Sequence, residues 1–274
     1  MRNFNIKTRL IVLNFLQFAV WGAYLTSMGR YLGNAGMGSD IGWFYSVQGI
    51  VSIFMPALIG VIADRWVPAQ RMLSFCHSVA AVFMAITGYI GMTKGSAVAF
   101  NDIFWTYTIS VAFYMPTLAL SNSVSYSVLT QAGLDTVKAF PPIRVFGTIG
   151  FIVSMWIVDL GGLQNDYSQF FASALWGVVL AAYSLSLPDC PVDKSAEKKS
   201  LASAFGLDAF RLFAQRRMAL FFIFSMLLGA ALQVSNGYAN MFISGFGGIE
   251  KYAGTFAVEH TNVLISLSQI GDHP

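Results

Sequence analysis

The chain has 274 residues, of which 56% are hydrophobic and 11% charged, with 24 Phe and a net charge of +3. A soluble globular domain carries about 25% charged residues, so this composition excludes a water-soluble enzyme, a disordered chain and a nucleic-acid binder. Two cysteines, Cys76 and Cys190, are too few for a disulfide scaffold.

Apolar runs without period-2 alternation recur along the sequence, the pattern of membrane-spanning helices and not of barrel strands. Spans are expected at residues 10–28, 41–63, 72–92, 103–129, 145–160, 170–187 and 218–242, with an eighth opening near Phe256. The segment after Lys7 is too long for a cleavable leader and reads as the first span. The eighth run meets Gly271-Asp272-His273-Pro274 before a full crossing length is reached.

With the N-terminus placed inside and the loops alternating, only Arg30, Lys94 and Lys251 of the 16 basic residues fall outside. The Lys/Arg bias therefore predicts a cytoplasmic N-terminus. Residues 188–217 differ in kind. They begin polar, through Asp189, Asp193, Lys194, Glu197, Lys198 and Lys199, then turn amphipathic through Leu201, Phe205, Leu207, Phe210 and Phe213. A cytoplasmic linker carrying a helix on the membrane surface is expected there. The division is then a six-helix transmembrane bundle at 1–187, the linker at 188–217, and an incomplete second bundle at 218–274, the plan of a two-half transporter. Phe15, Gly22, Ala23 and Leu25 recur as Phe222, Gly229, Ala230 and Leu232 at a constant offset of 207, a weak sign of an internal repeat.

Three groups of residues carry candidate chemistry. Gly60, Asp64 and Arg65, followed by Arg71, close the second span on the inner side. Glycine permits close helix approach and the charges can open and close contacts between states. This resembles the loop signature of the major facilitator superfamily and implies a conformational latch; a helix end with snorkelling charges is the plainer alternative. Pro141-Pro142 stand where a helix is expected to start, and Arg144, Thr148 and Phe151 follow on one face. A cation, a hydroxyl and an aromatic plane suit a polar ring-bearing ligand, although Arg144 reaching lipid headgroups is an equally simple reading. Gln233, Asn236 and Asn240 share a face of the seventh span, with Gly229 and Gly237 beside them. Amides inside a membrane either join helices or line a pathway. Gln17, Gln48, Asn122 and Gln269 extend this polar set. His77 reads as a helix contact, and His260 with Glu259 as a solvated pair at the outer surface. No triad, phosphate loop, metal cluster or cofactor motif is found.

Phe15-Leu16-Gln17-Phe18-Ala19-Val20-Trp21-Gly22, Phe54-Met55-Pro56-Ala57-Leu58, Phe140-Pro141-Pro142-Ile143-Arg144, Gly147-Thr148-Ile149-Gly150-Phe151, Gly206-Leu207-Asp208-Ala209-Phe210 and the run from Phe221 to Ala230 resemble the bacterial nucleoside:proton symporter family of the major facilitator superfamily. The resemblance extends to about Gln269. It implies an all-α membrane fold of two pseudo-symmetric six-helix bundles, of which this chain has the first and the start of the second. It further implies proton-coupled nucleoside uptake across the inner membrane, with nucleoside, proton and lipid as the only partners. Substrate contacts are implied at Arg144, Thr148, Phe151, Gln233, Asn236 and Gln269. Asp272 stands at the spacing of a family carboxylate implicated in the site, within a tail that departs from the apolar continuation. Family contacts from a tenth helix have no counterpart in these residues. Two alternatives stand beside this reading: a non-transporting fragment of such a permease, and a transporter for another polar solute such as a sugar.

Overall fold

The computed structural model describes residues 2–192 and 207–271. Among these residues the secondary structure is α-helix and short 3-10 helix, without a strand. In chain order the α-helices are α1 (Arg2–Gly22), α2 (Met28–Asn34), α3 (Ile41–Arg65), α4 (Ala69–Lys94), α5 (Phe100–Gln131), α6 (Thr136–Leu160), α7 (Ser168–Ser184), α8 (Arg216–Gly245), α9 (Phe256–Glu259) and α10 (Thr261–Gly271). Helix is the expected solution in lipid, since it satisfies every backbone polar group internally.

Five stretches are long and apolar enough to cross a membrane: Gly38–Arg65, Ala69–Ala97, Phe100–Gln131, Thr136–Leu160 and Arg216–Gly248. The first and sixth expected spans differ. α7 has 17 residues, which at 1.5 Å per residue is about 25 Å. The first span is broken between Gly22 and Met28, where a turn separates α1 from α2. The cause is a side chain inserted into the helical ladder, a recognised origin of such breaks. The Tyr45 hydroxyl donates to the Leu25 carbonyl at 2.7 Å and accepts from the Gly29 amide at 3.2 Å. These are the two groups that an unbroken helix would pair with each other.

α6 also departs from expectation. Its helix begins at Thr136, capped by the Asp135 side chain on the Val137 amide at 3.0 Å, so Pro141 and Pro142 lie inside it. The cap starts the helix before the prolines are reached, and they remove donors from a helix already formed. In the linker, Leu207–Ala214 winds as a 3-10 helix; the rest of the expected amphipathic segment lies outside the described residues.

Glycine sets how α1 meets α6. A Cβ at Gly22 would come within 2.4 Å of the Phe151 carbonyl oxygen, and one at Gly150 within 2.1 Å of the Phe15 carbonyl oxygen. The two backbones therefore touch. Polar groups knit the remaining helices in place of a hydrophobic drive that lipid does not supply. The Gln17 amide of α1 donates to Thr117 Oγ1 at 2.7 Å, its oxygen meets His77 Nε2 at 2.9 Å, and its carbonyl accepts from Tyr114 at 2.8 Å. Ser173 donates to the Val20 carbonyl and Ser110 to the Ala80 carbonyl. One end of the bundle gathers Arg9, Ser186, Gln70, Gln131 and Asp189, through bonds from Arg9 to the Ser186 carbonyl and from Gln70 to Asp189. The opposite end gathers Asn34, Asn165 and the Lys94–Asp102 ion pair at 2.5 Å.

Candidate functional site

A cavity of about 360 Å³ opens where α1, α6, α8 and α10 converge. Its wall includes Arg144, Thr148 and Phe151 from α6, Gln233 and Asn236 from α8, and Gln269 from α10. All six residues singled out from the sequence as substrate contacts thus share one space, drawn from both sides of the linker. The remaining wall is Phe18, Trp21, Leu25, Gly229 and Leu232. Leu25 and Leu232, which correspond in the 207-residue offset, both line this cavity.

Beside Phe151 of α6, the wall has two aromatic side chains from α1, Phe18 and Trp21, which are not among the residues expected from the sequence. The Arg144 guanidinium carbon lies 3.9 Å from the centre of the Phe18 ring. A planar cation over an aromatic face is held there by the ring's quadrupole. Gly147 makes room for the pair: a Cβ would meet an Arg144 guanidinium nitrogen at 2.6 Å and the Phe18 ring at 2.7 Å. Trp21 stands edge-on to Phe151 at 6.4 Å between ring centres. Its indole N–H donates to Gln48 at 3.2 Å, and the Gln48 amide donates to Tyr107 at 2.8 Å. Arg144, Thr148, Gln233, Asn236 and Gln269 are half-buried while Phe151 is buried, which leaves cationic, hydroxyl and amide groups facing the cavity beside a flat apolar wall. Amides supply a donor and an acceptor together and the guanidinium supplies donors alone, a set that fits a planar heterocycle joined to a polyol. The signal that would have revealed Phe18 and Trp21 is the spacing Phe18–Trp21–Leu25, at i, i+3 and i+7 on the α1 face opposite Gly150.

The other singled-out residues lie elsewhere. Asn240, on the same helix as Gln233 and Asn236, is buried away from the cavity and donates to Asn262 at 2.7 Å and Gln164 at 3.3 Å. Gly237 lets α8 approach α3: a Cβ there would press on the Tyr45 ring at 3.1 Å. Among the described residues nothing lies within 4 Å of a Cβ built on Gly60, so the close helix approach expected at that glycine is absent, and Asp64 and Arg71 are exposed. Asp272 lies outside the described residues. His260 is part-exposed as well as paired: its Nδ1 lies 2.7 Å from the buried Asp159 carboxylate. No group of three or more metal-ligating side chains occurs among the described residues.

Comparison with known proteins agrees with this geometry. A model of the nucleoside H+ symporter family matches residues 4–273. Xanthosine permease of Escherichia coli is 43% identical over 270 residues, spanning 98% of this chain and 63% of the permease. Nucleoside permease NupG of Escherichia coli is 41% identical over 270 residues, again 98% of this chain and 63% of its own. The solved structure of an alanine variant of nucleoside transporter NupG superposes with a TM-score of 0.86 at 41% identity, over 97% of this chain and 65% of that one. The chain therefore spans less than two thirds of the length of these relatives, and over that length its fold is the all-helical one of major facilitator type.

Proposed function

The chain belongs to the nucleoside H+ symporter family, and we propose on that premise that its cavity holds a nucleoside during proton-coupled uptake. The relatives named for nucleoside or xanthosine transport support this substrate class. The observation that carries it is the convergence of Arg144, Thr148, Phe151, Gln233, Asn236 and Gln269 on one cavity of about 360 Å³, within the range of small-molecule sites.

Each group then has a task set by its chemistry. Arg144, fixed over Phe18, donates to ribose hydroxyls or a base oxygen. Phe151 and Trp21 bound the flat face of the base. Gln233, Asn236 and Gln269 read hydrogen-bonding edges, and Thr148 contributes a hydroxyl beside the guanidinium. Because the wall is shared between α1–α6 and α8–α10, bound nucleoside bridges the two halves, and rocking of one against the other exposes it to alternate sides. We assign the protein to the bacterial inner membrane with its N-terminus cytoplasmic, on the Lys/Arg asymmetry, and Gly60, Asp64, Arg65 and Arg71 to a latch on the inner face.

The purified chain in nanodiscs, titrated with tritiated uridine, tests the site. Saturable binding is expected, with Arg144→Ala lowering affinity about tenfold to a hundredfold, the cost of a charge-assisted contact. Binding by wild type and variant alike, or by neither, overturns the assignment.

A further inference from the structure

At the opposite end of α6 from its N-terminus, Asp159 is the only buried acidic residue among the described residues. One of its carboxylate oxygens accepts from the backbone amides of Asn262 at 2.7 Å and Val263 at 3.2 Å, in the first turn of α10. The other accepts from Gln164 at 3.2 Å and meets His260 Nδ1 at 2.7 Å. Gln164 also donates to the Glu259 carbonyl at 2.8 Å, while Asn240 of α8 reaches both Gln164 and Asn262. The carboxylate thus ties α6, before the linker, to His260 and the first turn of α10, and Gln164 and Asn240 extend the seam to α8 and the end of α9. Trp156 and Ser266, bonded at 2.8 Å, continue the seam one turn toward the cavity. Asp159 lies 15 residues beyond Arg144 on the same helix, about 22 Å at helical rise. By the charge bias this is the outer end.

From this geometry we propose that the Asp159–His260 pair is a proton-binding site that locks the outer seam when loaded. In the neutral imidazole Nδ1–H donates to Asp159 and Nε2 is left free. The imidazole is the exposed member, at 31% against 0% for the carboxylate, and its ring is braced by Phe256 at 4.8 Å between centres. A proton arriving from the outer water adds to Nε2, breaks no bond, and turns the contact of a neutral ring with a carboxylate into an ion pair. Other charged groups near the pair are Arg30 from α2, which interacts electrostatically with Asp159, and Glu259, adjacent to His260 in the chain; α8 presents the neutral Asn240. Arg30 carries a buried guanidinium nitrogen without a hydrogen-bond partner. Closure gives the imidazole an anionic partner, so the closed seam is favoured as pH falls and loses that advantage as pH rises. A carrier closed behind an incoming proton is what symport needs; only this use of the site rests on the proposed function.

Amide hydrogen exchange of the detergent-solubilised chain reads the lock without any transport. After correction for intrinsic rates, peptides covering 261–266 should exchange about tenfold more slowly at about pH 5.5 than at about pH 8, the scale of adding ion-pair attraction to an existing hydrogen bond. His260→Gln should abolish the pH response while far-UV circular dichroism stays unchanged, and Asp159→Asn should lower protection at both pH values. Protection indifferent to pH in the wild type overturns the proposal. So does a response retained in His260→Gln, which would place the titration on Glu259 or Asp159. Uridine binding is independent of either result, so failure here and failure of the substrate assignment are separable.

Discussion

Phe18 shows how a single side chain fixes the chemistry of another. A bare guanidinium in a half-buried cavity would sample many rotamers, and the ring 3.9 Å beneath it limits Arg144 to a plane facing the open space. Phe18→Ala removes that platform while leaving the charge, so uridine affinity should fall roughly fivefold, the equivalent of about 1 kcal/mol for a partly desolvated cation–π contact. Isothermal titration would place this loss below that of Arg144→Ala. The polar members of the site were legible in the sequence because amides and an arginine inside apolar runs are costly and therefore conspicuous. Phe18 and Trp21 were not, since aromatic residues are as common on lipid-facing and packed surfaces as on a ligand wall. The bond from His260 was hidden for the same kind of reason: its partner, Asp159, is 101 residues away, and no local pattern announces the pairing.

Among the elements, the backbone contact of α1 with α6 is the least forgiving feature. A methyl at position 150 would enter the Phe15 carbonyl at 2.1 Å, and a carbonyl cannot move aside as a flexible side-chain tip can. Gly150→Ala should cost roughly 1–3 kcal/mol or more by overpacking, seen as a lower midpoint in thermal unfolding of the detergent-solubilised chain, together with weakened uridine binding because Phe18 and Trp21 are carried away from Arg144 and Phe151. Helix positions were largely readable, since a run of apolar residues long enough for a bilayer has few other uses. Their ends and interruptions were not. Pro141 and Pro142 mark a start by the usual rule, yet the Asp135 cap begins α6 earlier. The gap between α1 and α2 depends on Tyr45, which lies 20 residues from the Leu25 carbonyl it engages.

Across the whole molecule, Gln17 joins three helices through one side chain. Its amide and carbonyl groups engage Thr117 and Tyr114 of α5 and His77 of α4. Replacing Gln17 by Ala removes the side-chain partner of Thr117 and His77, while Tyr114 keeps the backbone carbonyl and Thr117 its bond to the Tyr114 carbonyl; the buried His77 Nε2 left without a partner costs about 1–3 kcal/mol. The expected outcome is a reduced unfolding midpoint with tryptophan fluorescence reporting a loosened α1, whereas an unchanged midpoint would show that the network is dispensable. The two-sided cavity was legible in the sequence through the family resemblance, with a long polar linker and a faint 207-residue echo beside it. That Leu25 and Leu232 both reach it depends on how the two halves face each other, which no single segment encodes.

The Tyr45 hydroxyl at the break after α1 has a mechanical consequence. Where a continuous helix would transmit any tilt of its outer turns straight down to Phe18 and Trp21, an oxygen shared between Leu25 and Gly29 acts as a swivel pin anchored in α3. Under the proposed transport cycle, α2 could lean with its neighbour without twisting the aromatic wall formed by Phe18 and Trp21.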